Sequence, residues 1–153
     1  MSYGRSRTVG PVEAAIHGAV AYLALSIGLV VTAVLGLYLV GGDSAVMFSE
    51  TDDELFAAVL SSFELVLTLS IVLAFAFAVV YTAMDQSSPA FVPAAIATAV
   101  GTILAGLVLL VLVIVLEPDG FDIDFVDELL TIIVVTIGSV LTAVLSGLGF
   151  ELL

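Results

Sequence analysis

Glu64 has the most chemical leverage in this chain. It is a carboxylate set inside a long apolar run, Leu55–Met84, that contains neither a base nor a proline. Ser61 lies three residues before it and Thr68 four after, so a helix puts all three on one face. A carboxylate flanked by two hydroxyls can hold a proton or a cation, which makes Glu64, Ser61 and Thr68 a candidate intramembrane site. An ionisable group in hydrocarbon costs about 2.5–3.5 kcal/mol on insertion scales, so Glu64 is expected to face protein or water. The blander use is a neutral acid bonded to a hydroxyl on a neighbouring helix, since burial disfavours the charged form. Glu13 and His17, four apart at the entrance of another apolar run, are a second candidate: a proton relay, or simply a solvated interfacial pair.

Other chemistry is poorly provided for. The chain has no cysteine, which removes thiolate nucleophiles, disulfides and cysteine metal sites. His17 is the one imidazole, and one histidine with one acid makes a poor metal site. A serine–histidine mechanism would have to sit beside His17, at the membrane interface. The acidic stretch Asp119–Glu128 lacks the alternating ligands and central glycine of a calcium loop. There is no phosphate loop and no dinucleotide fingerprint. The expectation is therefore no enzyme, no resident metal and no cofactor.

The elements that must position these residues are membrane helices. Of 153 residues, 62% are hydrophobic and the mean hydropathy is +1.35, more apolar surface than a water-soluble domain can bury. Crossing a hydrocarbon core takes roughly 20 apolar residues in a helix. Four runs reach that length: Val12–Val40, Leu55–Met84, Ala94–Leu116 and Leu129–Phe150. The expected fold is an all-α, four-transmembrane-helix bundle, one integral membrane domain over residues 1–153, with acidic loops at 41–54 and 117–128. Capping-box spacing in Thr51-Asp52-Asp53-Glu54 marks the second start, and Pro93 suits the first turn of the third helix. At about 1.5 Å per residue, Glu64 lies roughly 15 Å inside its helix, in the outer half of the membrane or near its middle. Small residues recur every four positions, and such rows let helices approach closely. The expected packing positions are Gly28, Gly36, Gly101, Ala105 and Gly138.

Charge sets the orientation. Fifteen acids face two bases, for a net charge of -13, and both bases, Arg5 and Arg7, precede the first span. That asymmetry puts the N-terminus in the cytoplasm, and four crossings return the C-terminus to the same side of the cell membrane. Such a chain offers nucleic acid no basic patch. A polar surface made almost wholly of Asp and Glu suits concentrated salt, which screens its self-repulsion, so the expected source is a halophilic archaeon.

Asp53-Glu54-Leu55 recurs as Asp127-Glu128-Leu129, and Val66-Leu67-Thr68 recurs at the same offset as Val140-Leu141-Thr142. This describes two helical hairpins in parallel orientation. The start Gly4-Arg5-Ser6-Arg7, followed by Gly18-Ala19-Val20-Ala21-Tyr22-Leu23, resembles small multi-spanning haloarchaeal membrane proteins grouped as domains of unknown function. That resemblance implies the layout and no functional residue. Length and a lone carboxylate also resemble the four-helix membrane-ring proteolipids of rotary ATPases. The dense glycine repeat of that family is missing, and its carboxylate belongs in the last span, not the second. Two functions remain as expectations. One is an accessory or structural subunit whose helices or outer acidic loops dock onto a membrane protein partner or onto its own copies. The other is a small cation- or proton-coupled carrier or channel using Glu64.

Overall fold

In lipid each backbone amide must find its partner within the chain, so long apolar runs without internal proline become helices. The computed structural model describes residues 9–40, 51–84, 89, 91–117 and 123–152. Its order is α1 (Pro11–Val40), α2 (Thr51–Met84), α3 (Phe91–Val115) and α4 (Phe125–Glu151), with no strand among the described residues. Each helix is long and apolar enough to cross a membrane. The protein is thus an all-α, multi-pass four-helix bundle. Arg5, Arg7, residues 41–50 of the first acidic loop and 118–122 of the second lie outside the described residues.

The helix ends follow from local chemistry. Pro11 takes the first position of α1, where its missing N–H costs nothing. Thr51 is already helical, so α2 runs 34 residues, about 51 Å, against a hydrocarbon thickness of about 30 Å. Pro93 falls in the first turn of α3, which starts three residues before the expected Ala94. Asp124 caps α4, its carboxylate accepting from Val126 N at 2.9 Å and Asp127 N at 3.4 Å. The Glu117 carboxylate accepts from Ile123 N at 2.9 Å and ties the end of α3 to the approach of α4.

α2 and α3 each pack on all other helices, whereas α1 and α4 share no contact among the described residues. The bundle is therefore a rhombus with α2 and α3 on its short diagonal. Gly18 of α1 lies against the Ala97 carbonyl near the start of α3, so α1 and α3 run parallel. α3 and α4 run antiparallel: a Cβ on Gly106 would sit 3.0 Å from Ile132, and one on Gly147 2.7 Å from Phe91. These contacts give two hairpins in parallel orientation. We call the end where α1 and α3 begin the near end, and the other the far end.

Two cores divide the bundle along its length. Toward the far end the buried residues are large: Phe56, Val59, Phe63, Leu109, Leu110, Val113 and Ile132. Toward the near end they are small: Ala14, Ala74, Ala78, Ala94, Ala97 and Ala143, with Tyr81 among them. Gly101 and Ala105 are buried in the bundle. Gly28, Gly36 and Gly138 have nothing within 4 Å of where a Cβ would stand. The close approaches are made at Gly18, Gly101, Gly106 and Gly147.

Candidate functional site

The acidic face comes first. α2 buries Phe56, Val59, Phe63, Val66, Leu67 and Ser70, which turns Ser61, Glu64 and Thr68 outward. All three are exposed on the surface of the bundle. The Ser61 and Thr68 hydroxyls do not reach the Glu64 carboxylate. Ser61 Oγ donates to the Ala58 carbonyl at 3.1 Å, and Thr68 Oγ1 donates to the Glu64 carbonyl at 2.9 Å. Each hydroxyl is thus satisfied by its own helix.

Tertiary structure adds a partner of the same sign. Glu128, in the first turn of α4, lies close enough to Glu64 for the two charges to act on each other. Its own neighbour Asp127 adds to that negative field. Glu64 is therefore level with the start of α4, shallower than the bundle's middle, and the far end of α2 extends beyond it. The recurring Asp-Glu-Leu would have put Glu54 level with Glu128, so the packing register differs from the sequence repeat.

The second candidate lies at the near end. His17 Nδ1 and the Tyr81 hydroxyl are 3.0 Å apart, and their rings stack at 6.2 Å between centroids. Glu13 is within electrostatic reach of Tyr81. The sequence pairs Glu13 with His17; the fold brings in Tyr81 from α2 as a third member.

From there a ladder of rings runs inward. Tyr81 stacks on Phe77 at 6.0 Å, and Phe77 on Tyr22 at 6.3 Å. Tyr22 is fully buried and its hydroxyl donates to the Ser70 carbonyl at 3.1 Å. The Thr98 and Thr102 hydroxyls gather beside the Tyr22 phenol, although neither meets hydrogen-bond geometry with any atom. Ser139 Oγ on α4 is likewise buried and unbonded, and the α3–α4 contacts put it level with Thr98. Ser26, Ser70 and Thr136, also buried, donate to carbonyls of their own helices at 2.8, 2.9 and 2.7 Å. A belt of hydroxyls from all four helices thus separates the large core from the small one.

The belt does not make a proton wire. His17 and Tyr81 can exchange a proton, but the next ring inward is Phe77, which carries no donor or acceptor. Tyr22 directs its proton at a backbone carbonyl. Among the described residues no group of three His, Asp or Glu side chains could hold a metal ion. Comparison with family models, curated proteins and solved structures finds no match.

Sequence reasoning passed over Tyr22, Phe77 and Tyr81. A tyrosine well inside an apolar span was the available signal, because a buried phenol needs a hydrogen-bond partner. What the spacing could not supply was which helix provides it.

Proposed function

We propose that this chain is an accessory subunit of a membrane assembly, docking onto another membrane protein through the far-end face of α2 and α4. The observation that carries this reading is the outward position of Glu64. Thr68, Ile71 and Phe75 follow it on the same face at helical spacing, and Ile71 and Phe75 are 50% and 49% exposed. A carboxylate on an otherwise apolar membrane face is expensive against lipid and tolerable against protein. Among the described residues no base is near to compensate it, and its charged neighbour is another acid.

The same reading takes the near end as cytoplasmic, from Arg5 and Arg7, and the membrane as that of a haloarchaeal cell. Purification from native membranes in mild detergent tests it. A stoichiometric partner or a defined oligomer is the expected result; a lone monomer without cross-linked neighbours overturns it.

Carriage of a proton or cation on Glu64 is the second reading, favoured by a second carboxylate, Glu128, within electrostatic reach of it. It is weaker because Glu64 faces away from the bundle interior. Flux into liposomes decides it: equal background flux for the wild type and Glu64→Gln removes it.

A further inference from the structure

Of the buried serines and threonines among the described residues, Ser26, Ser62, Ser70 and Thr136 each donate to the carbonyl four residues back on their own helix. Thr98, Thr102 and Ser139 do not. All three are at 0% exposure, and each hydroxyl oxygen is without a hydrogen-bond partner in the protein. A hydroxyl left unbonded in an apolar interior is costly, and bilayer hydrocarbon offers it nothing in exchange.

The three meet at one level of the bundle. Thr98 and Thr102 are four apart on α3 and open on one strip of it. Gly101 between them takes the Tyr22 ring of α1 against its bare backbone, so the phenol lies beside that strip. On α4, Ser139 stands seven residues from Ile132, and on α3 Thr102 stands four from Gly106, which Ile132 faces. Because these helices run antiparallel, Ser139 falls level with the turn from Thr98 to Thr102. The layers on either side offer no partner. One turn toward the near end stand Ala74, Ala94 and Ala143, and one turn toward the far end Val66 and Ala105. Tyr22 directs its proton at the Ser70 carbonyl, at 3.1 Å, which leaves its oxygen free to accept.

We propose that Thr98, Thr102, Ser139 and the Tyr22 phenol oxygen hold an internal water molecule. Water both donates and accepts, and a buried water typically makes about three hydrogen bonds to polar groups of this kind. Charge settles the class of ligand. Among the described residues no acid or base is buried, so this layer suits a neutral donor–acceptor molecule and not a cation. The water bridges α3 to α4 and, through the phenol and its bond to Ser70, reaches α1 and α2. α1 and α4 share no direct contact among the described residues, so the site joins the two outer corners of the rhombus. Thr102 lies near the middle of α3, which puts the site far from both aqueous surfaces. The site is separate from Glu64 and stands whether or not a partner covers that face.

Radiolytic labelling tests it. A short X-ray pulse makes hydroxyl radicals from water, and a radical formed inside a protein oxidises the side chains beside its parent water. The full chain in lipid nanodiscs is pulsed, and oxidation is read residue by residue by mass spectrometry. Tyr22 and Phe63 are at 0% and 1% exposure, and both rings react readily, so Phe63 in the large core is the dry control. The expected result is oxidation of Tyr22 roughly fivefold or more above that of Phe63, falling to the Phe63 level in Thr102→Val/Ser139→Ala. Thr102→Val alone, which keeps the shape of the side chain, lowers the signal in the same direction and serves if the double variant does not assemble. Tyr22 as unreactive as Phe63 overturns the water. Strong oxidation of both rings overturns the site, since water then enters the bundle at large. A Tyr22 signal unchanged in the variants overturns the assignment to these hydroxyls.

Discussion

The near and far halves of the bundle are built on opposite plans. In the near half, alanine and glycine bring backbones together, and Gly18 rests on the Ala97 carbonyl. In the far half, Phe63, Leu109, Leu110 and Ile132 fill a wider space. α1 buries Ala14, Gly18, Tyr22 and Ser26; Tyr22, with Leu29 and Val30 partly buried behind it, reaches the large core, and nothing from 27 to 36 is fully buried. Lipid tails are as apolar as leucine, so burying more leucine gains little over leaving it in the bilayer. Close packing of small residues gains dispersion contacts that lipid does not match, and the tightest approaches of α1, Gly18 on Ala97 and Tyr22 on Gly101, are of that kind. The difference teaches that a membrane helix is anchored where its neighbours are small.

The sharpest way to break this contrast is one substitution made twice. In Gly18→Ala the new methyl overlaps the Ala97 backbone, which cannot step aside, and the expected loss is about 3 kcal/mol. In Gly28→Ala the methyl enters open space, and stability stays level or rises by up to about 1 kcal/mol through helix propensity. Reversible unfolding in bicelles reads both; equal losses would undo the comparison.

Next in size is Phe63→Ala in the far core. Lipid solvates the unpacked helices, so most of the usual transfer penalty drops out and the cavity remains, about 2 kcal/mol. A loss exceeding that of Gly18→Ala would reverse the order of the two halves. Tyr22→Phe removes the one hydrogen bond that reaches Ser70 from α1, and about 1 kcal/mol should go with it. The smallest effect belongs to Glu64→Gln. It touches no packed atom, so the isolated bundle should change by less than about 0.5 kcal/mol in the same assay. A larger change would place Glu64 among the bundle's own supports.

Much of the fold was legible in the residues. The four spans follow from apolar length, and Pro11, Pro93 and the acids around Asp124 mark their starts. The candidate site was legible only in part. Spacing put Ser61, Glu64 and Thr68 on one face, but helical periodicity carries no sign for inward or outward in a helix whose sides are all apolar. The usual contrast between an oily core face and a polar surface vanishes when the surroundings are oil. For the same reason the small-residue rows draw no distinction between Gly101 and Ala105, which are buried in the bundle, and Gly28, Gly36 or Gly138, which have open space beside them.

Composition and apolar length by themselves determine that this chain is four membrane helices with acidic ends, because the energy of placing a backbone in lipid depends on local sequence alone. Which face of each helix turns inward was decided by the tertiary structure. That choice rests on shape, the fit of Gly18 to Ala97 and of Tyr22 to Gly101, and shape complementarity exists only between helices already side by side.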